Sequence, residues 1–164
     1  MGTVSLTLSQ ALDIALKAYG AGRLAEAVQI CLRIIAAEPE SAAAFNLLAV
    51  TYASLGRSEM ALSSYDRALA LRPDFIQAWN NRGAVLKQLN RLSEALESYD
   101  RALELQPDTV EVLNNRAGVL HEMRRHDEAL AGYDRALALR PGYPKRSTIA
   151  ASPCRRWAGM RKRF

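Results

Sequence analysis

Two histidines, His121 and His126, are the side chains best equipped for metal or proton chemistry in this sequence, and they stand five apart in the run His121-Glu122-Met123-Arg124-Arg125-His126. The run resembles the zinc-binding H-E-x-x-H helix, in which the two histidines share one face. Five residues instead carry the second imidazole about 140° around a helix, and an interhelix turn is predicted between the two. The spacing therefore predicts that they do not share a metal, with His121 in a groove or on the surface and His126 in a turn. No metal site and no cofactor is expected. The sequence has no G-x-x-x-x-G-K-[ST], no G-x-S-x-G and no G-x-G-x-x-G. Carboxylates pair only at helical positions turned to solvent, so the chain reads as non-enzymatic.

Asparagines carry the more informative pattern. Asn46, Asn80-Asn81 and Asn114-Asn115 recur at intervals of 34 residues. Asparagine is a mediocre helix former, but its amide offers donors and acceptors together. Two uses compete: pinning an extended peptide backbone, or bridging neighbouring segments of the chain itself. Arg23, Arg57, Arg91 and Arg125 share the same interval. Glu26, Glu94 and Glu128 stand three residues after three of them, which predicts local ion pairs of ~0.2–0.5 kcal/mol each rather than a stripe for acidic ligands. Asp66-Arg67, Asp100-Arg101 and Asp134-Arg135 are read in the same way, as solvated charges.

The elements that position these residues follow from the interval itself. Glu94–Pro107 (EALESYDRALELQP) returns as Glu128–Pro141 (EALAGYDRALALRP) and as Met60–Pro73 (MALSSYDRALALRP), the last two agreeing at 11 of 14 places; a fainter copy runs from Glu26 to Pro39. Apolar residues between the prolines keep helical spacing, which is the signature of a helical solenoid. A first helix is predicted from about Thr7 to Ala18, ending at Gly20-Ala21-Gly22, where glycine supplies a positive φ. A second runs from about Arg23 to Ala37 and stops before Pro39, because the residue preceding proline is pushed out of the α region. The unit recurs with starts near Ser41, Asp74 and Asp108, all good N-cap residues.

These residues carry a family resemblance. Trp79, Gly83, Leu86, Ala95, Tyr99, Ala102 and Pro107 sit where the tetratricopeptide repeat has its large, small, large, small, aromatic, small and proline residues. Phe45, Ala49, Tyr52, Ala61, Tyr65, Ala68 and Pro73 renew the pattern, as do Leu113, Ala117, Leu120, Ala129, Tyr133, Ala136 and Pro141. The resemblance implies an all-α fold, a right-handed α-α superhelical solenoid of four helix-turn-helix units at 8–41, 42–75, 76–109 and 110–143, followed by a basic, irregular tail at 144–164. Gly83 and Ala95 would let antiparallel helices approach while Trp79, Leu86 and Tyr99 fill the flanks. One unit alone buries too little apolar surface to offset its ordering cost, so stacking is required.

In this family the first helix of each unit lines a concave groove. The resemblance thus implies a partner-binding face of Asn46, Gln77, Asn80, Asn81, Lys87, Glu111, Asn114, Asn115 and His121, taking a peptide or partner protein. Asn81 and Asn115 also match the asparagine ladder of O-linked N-acetylglucosamine transferase and SPINDLY-type arrays. That finer resemblance offers an alternative, in which the chain is the substrate-recruiting arm of a larger glycosyltransferase whose catalytic domain lies elsewhere. The carboxylate clamp of chaperone-binding arrays is not matched, since Leu12 and Leu16 occupy its lysine and asparagine places.

Composition bounds the rest. Of the 22 basic residues, seven lie in 144–164 with no acidic residue, leaving 15 basic against 17 acidic in 1–143, a net of −2. The overall +5 therefore describes the tail, through which nucleic acid or an anionic surface could be held only weakly. The longest nearly apolar stretch, Ala42–Leu55, falls short of the ~20 residues that a bilayer demands. Cys31 and Cys154 form no disulfide framework, and the N-terminus lacks a basic region before its apolar residues; the cytoplasm is the expected compartment. An uncapped C-terminal end, with the outward members of Leu113, Leu120, Leu130 and Leu137, predicts self-association as a homodimer.

Overall fold

The computed structural model describes residues 7–141, and all eight regular elements among them are α-helices: α1 (Leu8–Gly20), α2 (Leu24–Ala37), α3 (Ala42–Ser54), α4 (Ser58–Leu71), α5 (Ile76–Gln88), α6 (Leu92–Leu105), α7 (Val110–Glu122) and α8 (His126–Leu139). Helices α1, α3, α5 and α7 thus start at residues 8, 42, 76 and 110, and each packs most extensively on the helix that follows it. Each even helix packs in turn on the next odd one. The odd helices also touch one another directly, forming the inner, concave layer of a right-handed α-α solenoid. The segment 144–164 and its residues Ile149 and Trp157 lie outside the described residues.

Helix ends follow local chemistry. Thr7 caps α1 with a reciprocal box, its hydroxyl accepting from the Gln10 amide while the Gln10 side chain accepts from the Thr7 amide. Ser41 caps α3 by accepting from the Ala44 amide. Asp74 and Asp108, expected as the caps of α5 and α7, stand one residue too early: the N-cap positions are Phe75 and Thr109, and neither makes a side-chain cap bond. Asp108 instead accepts from Arg135 of α8 at 2.8 Å. The C-caps Glu38, Arg72, Gln106 and Arg140 each precede a repeat proline and leave the helix with ψ between 84° and 95°, as proline requires of its predecessor.

The turn inside each unit carries one residue with positive φ, and these are Gly22 (74°), Gly56 (72°), Asn90 (58°) and Arg124 (63°). Glycine enters this region freely and asparagine with little penalty, whereas arginine must carry its Cβ there against the backbone.

Small residues set the spacing within a unit. A Cβ added at Gly83 would lie 2.8 Å from Cε1 and Cζ of Tyr99, so the space freed by glycine is filled by that ring rather than by Ala95. Tyr65 and Tyr99 are each 1% exposed, and Leu86, Ala95 and Leu120 are fully buried. Trp79 covers the flank, half-buried, with its indole donating to the Pro73 carbonyl at 2.9 Å. No described helix is long and apolar enough to cross a membrane.

Candidate functional site

The asparagines expected on the concave face divide into two seams with different chemistry. Between α5 and α7 the seam is closed. The Asn115 amide donates to the Asn80 side-chain carbonyl at 3.1 Å, the Asn80 amide donates to Glu111 at 3.3 Å, and Lys87 pairs with Glu122 at 3.0 Å. Asn80 and Asn114 are 6% and 5% exposed, so these two amides are turned into the protein. Glu111 and Gln77 are exposed, and Asn115, Lys87 and His121 half-buried.

Between α3 and α5 the seam is open. Asn46 is the counterpart of Asn80 one period earlier, yet its side-chain oxygen is buried without a hydrogen-bond partner. Asn81, the counterpart of Asn115, lies instead beside the Tyr65 hydroxyl. A cavity of 310 Å³ opens here, walled by Val50, Ala53 and Ser54 of α3, Tyr65 of α4, and Asn81 and Gln88 of α5. Its floor is apolar and its rim is made of amides and hydroxyls, a combination suited to side chains and backbone of a peptide. Burial pushes the Tyr65 phenol well above its ordinary value, an effect that the Coulombic influence of Tyr19 increases and Asn81 partly offsets. The phenol is thus a neutral donor across the physiological range. Ser54 extends the rim to α1 through Tyr19, whose hydroxyl lies 3.1 Å from its Oγ.

Sequence reading singled out Asn46 and Asn81 but missed Val50, Ser54, Tyr65 and Gln88. Tyr65 reads as a packing residue because its ring is one; only the position of its hydroxyl gives it a second role. Gln88 was accessible from spacing, since it follows Asn81 by two helical turns on α5.

The two histidines depart from expectation. The turn at 123–125 folds α8 back on α7, so the Nδ1 atoms of His121 and His126 lie 3.3 Å apart, with ring centroids 5.0 Å apart and planes inclined at 59°. The 140° argument holds along one continuous helix and fails across a turn. No three His, Cys, Asp or Glu side chains among the described residues gather closely enough to hold a metal ion.

The arginines divide as well. Arg23, Arg91 and Arg125 pair with Glu26, Glu94 and Glu128 as their spacing predicts. The Asp-Arg dipeptides do more than the solvated reading allowed. Asp66 accepts from Arg82 at 2.8 Å and Asp100 accepts from Arg116, each pair joining one unit to the next, and Arg82 also donates to Ser98 at 2.7 Å. At the N-terminal end, a groove of 680 Å³ is lined by Leu8, Ile14, Ile30 and Ile34, with Glu26 and Arg33 at its edges. It is an apolar surface that the sequence reading placed only at the other end. There, Leu113 and Leu120 are buried and Leu130 and Leu137 half-buried.

Comparison with known proteins agrees with this geometry. A family model described as Tetratricopeptide repeat matches residues 76–109, and one described as TPR repeat matches residues 51–90. No curated protein matches the chain. Among solved structures, a crystal structure of MamA is similar with a TM-score of 0.77 at 18% identity, covering 81% of this chain and 78% of that one. A second, of MamA protein, gives 0.75 at 18% identity over 86% and 77% of the two chains. A third, MamA MSR-1, gives 0.70 at 23% identity over 85% and 80%. Likeness at this identity is likeness of fold. The family models thus recognise tetratricopeptide repeats within residues 51–109, and the described chain has the tetratricopeptide solenoid fold.

Proposed function

We propose that this chain is a non-enzymatic scaffold that holds an extended peptide segment of a partner protein in its concave groove, seated on the open seam between α3 and α5. The observation that carries this reading is the contrast between two equivalent seams. Asn80, Glu111 and Asn115 satisfy one another, whereas one period earlier the Asn46 side-chain oxygen is buried without a partner and Asn81 turns to the Tyr65 hydroxyl, beside a partly apolar cavity that Ser54 and Gln88 also line. A buried acceptor without a partner costs about 1–3 kcal/mol. A ligand that draws Asn81 toward Asn46, reproducing the Asn115–Asn80 contact, would recover part of that. The rigid helical frame lowers the ordering cost on the protein side.

A second reading is favoured by Asn81 and Asn115, which carry the resemblance to glycosyltransferase-associated arrays and stay partly accessible along the groove. The same groove would then recruit substrates for a catalytic domain outside this chain.

Selection of peptides from a displayed library on the full chain, followed by calorimetry, tests the reading. Val50→Arg, which fills the cavity, is expected to abolish binding, and Asn81→Ala to weaken it about tenfold, equivalent to ~1.4 kcal/mol. Lys87→Ala, outside the open seam, should change it little. Selected peptides that bind Val50→Arg as tightly as the unaltered protein would overturn the proposal.

A further inference from the structure

We infer that His121 and His126 form a two-point clip for a divalent transition-metal ion of the zinc, nickel and copper class, closing the turn between α7 and α8. Three observations carry the inference. The first is the bite of the pair. A tetrahedral ion bound at ~2.0–2.1 Å by two imidazole nitrogens holds those nitrogens ~3.3–3.4 Å apart and the ring centres ~5.2 Å apart. The Nδ1 atoms here are 3.3 Å apart and the centroids 5.0 Å apart. The separation that the Nδ1–H···Nδ1 hydrogen bond sets between the two rings thus matches the bite that an ion needs, so the exchange requires no movement of either helix.

The second observation is position within the repeat. One, two and three periods earlier, the places of His121 and His126 hold Lys87 and Leu92, Ala53 and Ser58, and Tyr19 and Leu24. None of these pairs can chelate an ion, and each unit nevertheless makes the same helical hairpin. The imidazoles are therefore not demanded by the fold; the last unit alone fills these places with ligands. The third observation is accessibility. Both rings are half-buried rather than enclosed, so an ion can enter and keep two further coordination positions for water or for a donor on another molecule.

The chemistry is a simple exchange. In the ion-free protein the Nδ1–H of one neutral ring donates to the Nδ1 of the other, the tautomers deciding which. Metal binding requires both Nδ1 lone pairs, so the donor ring switches tautomer, its Nδ1 giving a proton to solvent while its Nε2 takes one up, and both rings then carry their hydrogen on Nε2. Copper(II) should bind more tightly than nickel(II) or zinc(II), following the general order for nitrogen sites. Because the clip ties α7 to α8, binding stabilises the C-terminal hairpin by mass action.

His121 and His126 are the chain's two histidines, so nitrogen NMR of the full-length, tag-free protein reads this site without interference. Titration with zinc(II) is expected to shift the Nδ1 resonances of both rings together, with one ion per chain, and to leave both rings as the Nε2–H tautomer. Calorimetry with copper(II) and zinc(II) should show His121→Ala and His126→Ala each lowering affinity by ~10-fold or more, since one imidazole alone forms no chelate. Circular dichroism confirms that each variant is folded before it is compared. A shift confined to one ring, a shift at Nε2 in place of Nδ1, or an affinity that neither substitution changes would overturn the inference.

Discussion

The Asn115 amide reaches 3.1 Å across from α7 to the side-chain carbonyl of Asn80 on α5, and Asn80 passes the contact on to Glu111. A residue pair 35 positions apart thus joins two repeats through groups that look, in the sequence, like ligand contacts. Asn80→Ala should lower stability by ~0.5–1.5 kcal/mol, because it removes the acceptor of the half-buried Asn115 amide. Chemical denaturation measures this; an unchanged midpoint would return Asn80 to the role of a groove side chain.

Gly83→Leu should destabilise by ~1–3 kcal/mol or more. The first added carbon already meets the Tyr99 ring at 2.8 Å, and that ring is 1% exposed with no room to swing. Thermal unfolding followed by helical ellipticity provides the measurement.

Arg124→Gly should raise stability by ~1 kcal/mol, since the position has φ 63° and glycine already serves at two of the three equivalent places. The midpoint in urea should rise with no change in slope. A fall would show that the arginine side chain contributes more than its backbone conformation costs.

Glu94 and Glu128 are held below the ordinary carboxylate value, first by hydrogen bonds from Arg91 and Arg125 and further by the charge of those arginines. A carboxylate with a lowered folded-state pKa stabilises the fold above its unfolded value and ceases to do so as pH falls through the folded one. Stability should therefore decline below about pH 4.5, the ordinary glutamate value. The double variant Glu94→Gln, Glu128→Gln should show a shallower decline. Both pairs are exposed to solvent, so added salt should reduce the difference.

We expect self-association through the C-terminal end, where Leu130 and Leu137 are half-buried and Leu139 is exposed. Light scattering at high micromolar concentration should report a dimer, and Leu137→Glu should return it to a monomer. A monomer in the unaltered protein would show that this face is covered within one chain.

The sequence by itself determined the elements. The recurrence of Pro39, Pro73, Pro107 and Pro141 marked where every second helix stops, because proline acts on the residue beside it and needs no tertiary partner. Helical spacing of Phe45, Trp79, Leu113 and their neighbours identified the buried faces for the same local reason. Contacts between elements were decided only by tertiary structure. Whether Asn46, Asn80 and Asn114 face a ligand, the core or another asparagine depends on the approach of α3, α5 and α7, which one helical period cannot encode. Identical residue types at equivalent places consequently became a closed seam at Asn80 and an open one at Asn46. His121 and His126 were separated by a helical angle and reunited by a turn. Asp66 and Asp100 looked solvated until stacking brought Arg82 and Arg116 to them. Secondary structure here is a property of neighbours along the chain, whereas a site is a property of neighbours in space, fixed only once the repeats have stacked.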